Sequence, residues 1–250
     1  MPFLILSDIH SNLEALEAVL ADAKGRYDTI LCLGDLVGYG ADPNAVVDWA
    51  RNNLRAAVRG NHDKASSGLD PVHVYNPVAR DALAWTQSQL TPESQAYLQK
   101  MPRGPLRLSP DSNGDSSGCP FDLSHGSPAD EDEYLSSIGD ASLLLPDLDS
   151  RLTFFGHTHI QGGFRLTGRA VAKIPARGVL QMEPDYFYLV NPGSVGQPRD
   201  RNPDAAYAVY DPEAGTVEYR RVAYDIDRAA MKILRAGLPD LLAARLYEGM

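Results

Sequence analysis

Apolar residues in the first sixty positions come in short unbroken runs separated by stretches of helical period. Residues 3–6 are apolar throughout, the pattern of a strand covered on both faces. Leu13, Leu16, Val19 and Leu20 recur at helical spacing, which predicts an amphipathic helix, and Gly25 stands where it should stop. Residues 29–33 repeat the buried-strand pattern, residues 44–54 predict a helix, and residues 55–59 predict a third short strand. The order βαβαβ, with every strand short, predicts an α/β layered fold with parallel strands and right-handed crossovers.

Further along, residues 77–90 and 93–100 read as helices, with Thr91 as the N-cap of the second and Pro92 at its first position. Pro102-Arg103-Gly104-Pro105 breaks the chain. Short strands are expected at 106–108 and 121–124, flanking a polar insert over 110–119 that reads as a mobile hairpin loop. The acidic run Asp130-Glu131-Asp132-Glu133 is expected to cap a short helix and to face solvent. Strands are expected at 163–166, 186–190, 205–210 and 216–222, with a hairpin turn at 211–215. Residues 226–234 and 238–246 read as C-terminal helices, filling the segment 226–250. No internal repeat or interdomain linker is visible, so residues 1–250 are expected to form one domain of two packed sheets with outer helices.

Composition narrows the chemistry. The 250 residues are 44% hydrophobic and 22% charged, an ordinary globular balance. The formal net charge of −10 disfavours extended nucleic acid as a partner. An anionic substrate would have to be attracted by something other than net side-chain charge, and bound metal would serve. Cys32 and Cys119 form no CxxC pair, so neither a thiolate zinc site nor a disulfide framework is expected. Residues 2–6 lack a basic leader and are too few for a signal segment, and no window approaches the roughly 20 apolar residues of a membrane span. A cytoplasmic protein without a membrane partner is the expectation.

Five apolar strands end in metal-competent residues: Asp8 and His10, then Asp35, then Asn61 and His62, then His125, then His157 and His159. Ligands of α/β folds gather outside the carboxyl ends of strands, so these five segments converge on one rim. Five of the six histidines fall in them, and only His73 lies elsewhere. In extended backbone His157 and His159 would project to one side, roughly 6–7 Å apart along the chain. That separation suits two ions about 3.5–4 Å apart better than chelation of one ion. Taken alone, the pair also reads as surface histidines in a turn. Gly34, Gly60 and Gly156 precede ligand candidates, where glycine permits close backbone approach; ordinary turn glycines are the other reading.

Together, Asp8-Ile9-His10, Gly34-Asp35, Gly60-Asn61-His62-Asp63, His125 and Gly156-His157-Thr158-His159 resemble the D-x-H, G-D, G-N-H-[DE], H and G-H-x-H signature of the calcineurin-like metallophosphoesterases. The loops 34–40 and 191–196 look like the compact bacterial phosphodiesterase branch. The resemblance implies an α/β (α+β) fold, a two-sheet mixed β-sandwich flanked by helices, with a dinuclear metal centre between the sheets. It implies one metal on Asp8, His10, Asp35 and His159, and a second on Asp35, Asn61, His125 and His157, bridged by Asp35. Mixed N/O ligation suits Mn²⁺, Fe, Zn²⁺, Co²⁺ or Ni²⁺, with Mn²⁺ the first expectation. The metals would activate a water and polarise the phosphoryl oxygens. His62 resembles the family's non-ligand histidine, which protonates the leaving alkoxide. Asp63 would either orient His62 or cap the following helix.

One departure carries weight. Family members acting on phosphoproteins or diadenosine tetraphosphate commonly read G-D-x-V-D-R-G, and here Gly38 and Tyr39 replace that Asp-Arg pair. The expected activity is therefore that of a phosphodiesterase on small-molecule or nucleotide phosphodiesters. The alternatives are a phosphomonoesterase or Ser/Thr protein phosphatase on the same centre, or a non-catalytic scaffold of the same fold. Arg199 or Arg201 would supply a distal positive contact, unless each is a solvated loop arginine.

Overall fold

The computed structural model describes residues 1–110, 119–168 and 170–250. The chain opens with β1 (Phe3–Leu6), α1 (Leu13–Asp22), β2 (Thr29–Cys32), α2 (Pro43–Asn53), β3 (Leu54–Ala57) and α3 (Asn61–Ser66). It continues through α4 (Pro77–Gln89), α5 (Pro92–Lys100), β4 (Leu106–Leu108), β5 (Phe121–Leu123), α6 (Ile138–Leu144) and β6 (Leu152–Phe154). It ends with β7 (Gly162–Thr167), β8 (Ala170–Ile174), β9 (Gly178–Gln181), β10 (Phe187–Asn191), β11 (Ala205–Asp211), β12 (Thr216–Val222), α7 (Ile226–Arg235) and α8 (Asp240–Glu248).

Two sheets, each with six strands among the described residues, stack face to face in the orders β3-β2-β1-β11-β12-β9 and β4-β5-β6-β10-β7-β8. In the first, β1, β2 and β3 are parallel, as the βαβαβ pattern predicts. In the second, β5, β6 and β10 are parallel. Antiparallel strands complete both, so each sheet is mixed and each has a parallel block whose C-terminal ends emerge together.

Alternation along β1 shows why its unbroken apolar run was needed. Phe3 and Ile5 face the second sheet, where with Tyr210 of β11 they join Phe121, Phe154 and Val190. Leu4 and Leu6 face outward and meet Ala15, Leu16 and Val19 of α1 and Val46, Val47 and Ala50 of α2. The inner layer holds an aromatic cluster centred on Phe121, whose ring lies 5.5 Å from Phe3, 5.9 Å from Phe154 and 5.2 Å from Tyr210. Each such pair contributes about 0.5–1.5 kcal/mol beyond burial, and the contacts of Phe121 with Phe3 and Tyr210 join the two sheets. The outer face of the second sheet packs Phe164, Leu166 and Leu189 on α6. Helices α7 and α8 pack on α4 and on Tyr39.

Most predicted elements fall within two residues of their expected bounds, including Thr91, whose side chain accepts a hydrogen bond from Ser94 N–H at the start of α5. The turn at 211–215 is held by Asp211 Oδ1, which accepts from the Glu213 and Ala214 amides. Strands β8 and β9 were not anticipated. They are exposed edge strands, so half of their positions carry no burial signal in the sequence. The acidic run at 130–133 needs correction. It caps no helix, since α6 starts at Ile138 with Ser137 as its N-cap. Nor is Glu131 solvated: it is buried and takes a bidentate pair from Arg59 at 3.0 and 2.9 Å. Of the loop expected over 110–119, residues 111–118 lie outside the described residues. No described helix is long and apolar enough to cross a membrane.

Candidate metal centre

The two parallel blocks deliver their C-terminal ends to one rim. From β1 come Asp8 and His10, from β2 Asp35, and past β3 Asn61 and His62 at the start of α3. From β5 comes His125, and from β6 come His157 and His159. All of the ligand candidates that the sequence singles out are brought together there. Asp8, His10, Asp35 and His159 offer one set of atoms within 4.8 Å of each other, and Asp35, His125 and His157 a second. Asn61 joins the second set, with Oδ1 3.2 Å from His125 Nε2.

The local backbone is unusual. Asp8, His10, Asp35, His157 and His159 all have positive φ, between 49° and 64°. Non-glycine residues rarely occupy this region, and the cost must be met by surrounding structure. Here it is met by cross-links between loops. The Asp8, His10 and Ser11 amides donate to the carbonyls of Gly34, Asp35 and Leu36. The Asp8 carbonyl accepts from Gly196 N–H at 3.0 Å and from Ser194 Oγ at 2.7 Å. Asn191 Nδ2, at the end of β10, donates to the Gly156 carbonyl and to Thr158 Oγ1, which fixes the histidine turn. The expectation that His157 and His159 lie in extended backbone is therefore corrected. They sit in a left-handed turn, and the turn rather than strand alternation splits them between the two sets.

Close approach explains two glycines. A Cβ on Gly60 would collide with the Asp35 carboxylate, and one on Gly156 would strike Ser7 Oγ and come within 2.9 Å of Asp8 Oδ2. Neither is only a turn former.

The tautomers can be read from the carbonyls. His10 Nδ1–H donates to Val37 O at 3.0 Å, His125 Nδ1–H to Leu33 O at 2.8 Å, and His159 Nδ1–H to Gln197 O at 2.6 Å. With a metal bound, each ring would present a bare Nε2 to the centre. His10 Nε2 faces His159 Nε2 at 3.1 Å. His125 Nε2 faces His157 Nδ1 at 3.1 Å and the Asn61 carbonyl oxygen. Among the described residues Asp8 Oδ1 is buried with no hydrogen-bond donor, 3.3 Å from His159 Nε2, while its Oδ2 accepts from Ser7 Oγ and His157 N–H. Asp35 Oδ1 accepts from His62 N–H at 2.8 Å, leaving Oδ2 turned toward His10 at 3.6 Å and His125 at 3.4 Å. Lone pairs facing lone pairs in a buried site repel unless a cation lies between them. Donors about 2.0–2.2 Å from one ion stand roughly 3–3.5 Å from each other, near the spacing seen here. The residues fit a metal-binding group.

Charge in the metal-free cluster follows the same geometry. Burial, partly offset by Asp35, pushes His10 well below the usual histidine range. Burial and then the Arg199 charge depress His159. Burial and the neighbouring His125 push His157 down to about 3. His125 goes the other way: burial opposes it, but the Asp35 carboxylate raises it to about 10. A proton on His125 thus stands where a cation would otherwise balance the carboxylates.

His62 is buried beside the ligands, its ring 4.8 Å from His10, 4.4 Å from Tyr39 and 5.8 Å from Tyr75. Burial pushes it down to about 4, and Nδ1 has no partner among the described residues. Asp63 does not orient it. Its two oxygens accept from Gly60 N–H at 3.0 Å and Val37 N–H at 3.2 Å, so Asp63 caps α3 and ties it to the Asp35 loop. Burial and the Asp35 charge raise it to about 7. Arg201 is exposed, its main chain bonded to Gly249. Arg199 lies beside the centre instead, its Nη2 3.4 Å from the Tyr39 hydroxyl. Sequence reasoning missed Tyr75 and Tyr134, the latter with its ring centre 3.8 Å from that of His157. Both come from irregular segments with no periodic signal.

A buried cluster of carboxylates and imidazoles between two mixed sheets, at the ends of their parallel strands, defines a metallophosphoesterase architecture. The chain belongs to the calcineurin-like phosphoesterase superfamily, whose domain model matches residues 1–215. Helices α7 and α8 lie beyond that match. The chain is 36% identical over 252 aligned positions to an uncharacterised protein of Methanocaldococcus jannaschii, covering 98% of this chain and 97% of that one. A crystal structure of a metallophosphoesterase from Sphaerobacter thermophilus is 40% identical with a TM-score of 0.84, covering 100% of both chains. A hypothetical protein from Pyrococcus horikoshii OT3 shares the fold at 21% identity and a TM-score of 0.78, covering 100% of this chain and 98% of that one.

Proposed function

We propose that this protein is a phosphodiesterase acting on small-molecule or nucleotide phosphodiesters at a centre of two divalent metal ions, Mn²⁺ foremost. The observation that carries this reading is the single Asp35 oxygen, Oδ2, turned toward both His10 and His125 while Oδ1 accepts from His62 N–H. One oxygen shared by two imidazole sets is the arrangement a bridged pair of ions requires. Asp8, His10 and His159 would complete one ligand set, and Asn61, His125 and His157 the other. Bound ions would supply Lewis-acid charge for the phosphoryl oxygens and a nucleophile from water at neutral pH.

The chain's own groups supply the rest. His62 stands beside the centre without being a member of either set, as a group that handles the leaving oxygen's proton must. Its ring is neutral at pH 7 when no anion is present; a bound phosphate would favour its protonated form. The ligand side chains are buried, so each charge–dipole contact to the ester is stronger there than in bulk water. The preference for a diester rests on Gly38 and Tyr39. A glycine stands against His62 where a carboxylate partner would otherwise sit, and the Tyr39 ring fills the space beside it. A monoesterase on the same centre is the second reading, favoured by the positive charge of Arg199 beside His159.

The test is a parallel assay of aryl phosphodiester and aryl phosphomonoester substrates after chelation and restoration of Mn²⁺. Diester turnover that appears only with metal supports the proposal. Predominant monoester turnover replaces it with the second reading, and no turnover by metal-loaded protein points to a scaffold.

A further inference from the structure

Arg199 is an arginine without an anion. Among the described residues no carboxylate pairs with it; its Nη2 donates to Gln197 Oε1 at 3.1 Å and to the Tyr39 hydroxyl at 3.4 Å. Its guanidinium carbon lies 5.7 Å from the centre of the Tyr39 ring, within cation–π range.

Its position is fixed to the metal centre from two sides. The Arg199 amide donates to the His159 carbonyl at 3.2 Å, and the Gln197 carbonyl accepts from His159 Nδ1 at 2.6 Å. The main chain carrying the arginine is therefore bonded to a ligand candidate both before and after Pro198. The Tyr39 ring supporting the guanidinium packs 4.6 Å from His10 and 4.4 Å from His62. Tyr39 is itself clamped: it is buried at positive φ in the cluster of Ala229, Ile233, Leu242 and Leu246, supplied by α7 and α8. The C-terminal helices, which lie beyond the family match, thus set where Tyr39 and its arginine stand.

We propose that Arg199 binds the non-bridging phosphoryl oxygens of the substrate at this centre, and that Tyr39 is its positioning residue. A guanidinium held by neutral partners keeps N–H donors free, and their charge is not cancelled by a neighbouring carboxylate. It reaches the site from the chain after β10, whereas the absent Asp-Arg pair would have come from the loop after β2. The inference rests on the phosphoester reading above, and orthophosphate separates the two because its binding requires no turnover.

The experiment measures orthophosphate affinity of Mn²⁺-loaded protein by titration calorimetry, with metal content and diester kinetics on the same samples. Arg199→Ala should weaken orthophosphate by about 10- to 100-fold and raise KM in parallel, with unchanged manganese. Arg199→Lys should recover part of the affinity, and Tyr39→Phe, which keeps the ring, should lose about 3- to 10-fold. Wild-type affinity and KM in Arg199→Ala overturn the inference while metal-dependent turnover leaves the functional reading standing. Loss of manganese in Arg199→Ala, or no orthophosphate binding by wild type, also overturns it. An Arg199-dependent orthophosphate site in a protein that hydrolyses no ester sustains the inference and sinks the functional reading.

Discussion

His10 Nε2 and His159 Nε2 face each other at 3.1 Å, and each ring donates its other ring proton to a main-chain carbonyl. Two lone pairs at that distance, both buried, oppose folding until a cation separates them. Metal removal should therefore lower stability as well as activity. If ions bind at 100 to 1,000 times their Kd, they stabilise by about 2.7–4 kcal/mol. For a chain of this length that is roughly 5–15 °C in Tm. A thermal melt before and after chelation, then after Mn²⁺ is returned, measures it; an unchanged Tm would mean that the rings are not held apart by metal.

Asp35 and His62 should separate binding from chemistry. Asp35→Ala removes the oxygen shared by both ligand sets, so metal content should fall to near zero. His62→Ala removes a ring that belongs to neither set. It should retain its metal and lose turnover by about 10²–10⁴-fold. Metal analysis beside the assay distinguishes them, and a metal-free His62→Ala would reassign His62 as a ligand.

Gly156→Ala probes the close approach at the histidine turn. The added methyl strikes Ser7 Oγ and crowds Asp8 Oδ2, which the His157 amide also needs. We expect a loss of about 1–3 kcal/mol on denaturant unfolding, accompanied by weaker metal binding. Gly25→Ala is the control: its positive φ is strained, but none of the described residues lies within 4 Å of the new atom. It should destabilise without touching metal affinity.

Acid should destabilise the metal-free protein. His10, His62, His157 and His159 are all lowered by burial, His62 to about 4 and His157 to about 3. In the unfolded chain they protonate near pH 6.5. Below that pH the unfolded state binds protons that the folded state refuses, so stability falls as pH drops from 6.5 toward 4. His125 has the opposite sign. Raised to about 10 by Asp35 despite burial, it contributes fully below 6.5 and loses its contribution as pH rises through 10. Below pH 6.5 His125 adds no slope, and the one group working the other way is Asp63, raised to about 7, which takes up a proton in the folded state that the unfolded carboxyl does not. Four groups outweigh one, so Tm of the chelated protein should decline below pH 6.5. A flat profile between pH 6.5 and 5 would contradict the neutral, buried rings.

Glu131→Gln tests the buried pair that replaced the expected solvated acidic face. Glu131 receives Arg59 in a bidentate pair and lies 3.4 Å from Lys64 of α3. Removing its charge leaves Arg59 facing a neutral amide, while Lys64 keeps Asp132 and Asp70; with Arg59 partly exposed, this should cost about 1–3 kcal/mol. Urea unfolding measures it. The link joins α3, which carries His62, to the segment carrying Tyr134, so metal-dependent turnover should fall as well.

Much of this protein was legible in its one-dimensional pattern. Unbroken apolar runs at residues 3–6 and 29–33 identified strands covered on both faces, because only such strands can bury every side chain. The polar residues following them named every ligand candidate, because parallel strands must release their ends at one rim. Strands β8 and β9 were not legible, since an exposed edge strand leaves half its positions unselected for burial. The acidic run misled for a related reason: sequence records charge, but not the Arg59 and Lys64 waiting across the fold. What only the tertiary structure decided is how the ligands are aimed. The left-handed backbone at Asp8, His10, Asp35, His157 and His159 is locally unfavourable, so no local preference predicts it. It persists because carbonyls and amides from loops far apart in sequence hold it, and those same carbonyls fix which nitrogen of each ring is bare. The places of Arg199 and Tyr39 beside the centre are likewise set by α7, α8 and the chain after β10, through packing that forms only when the ends of the chain meet.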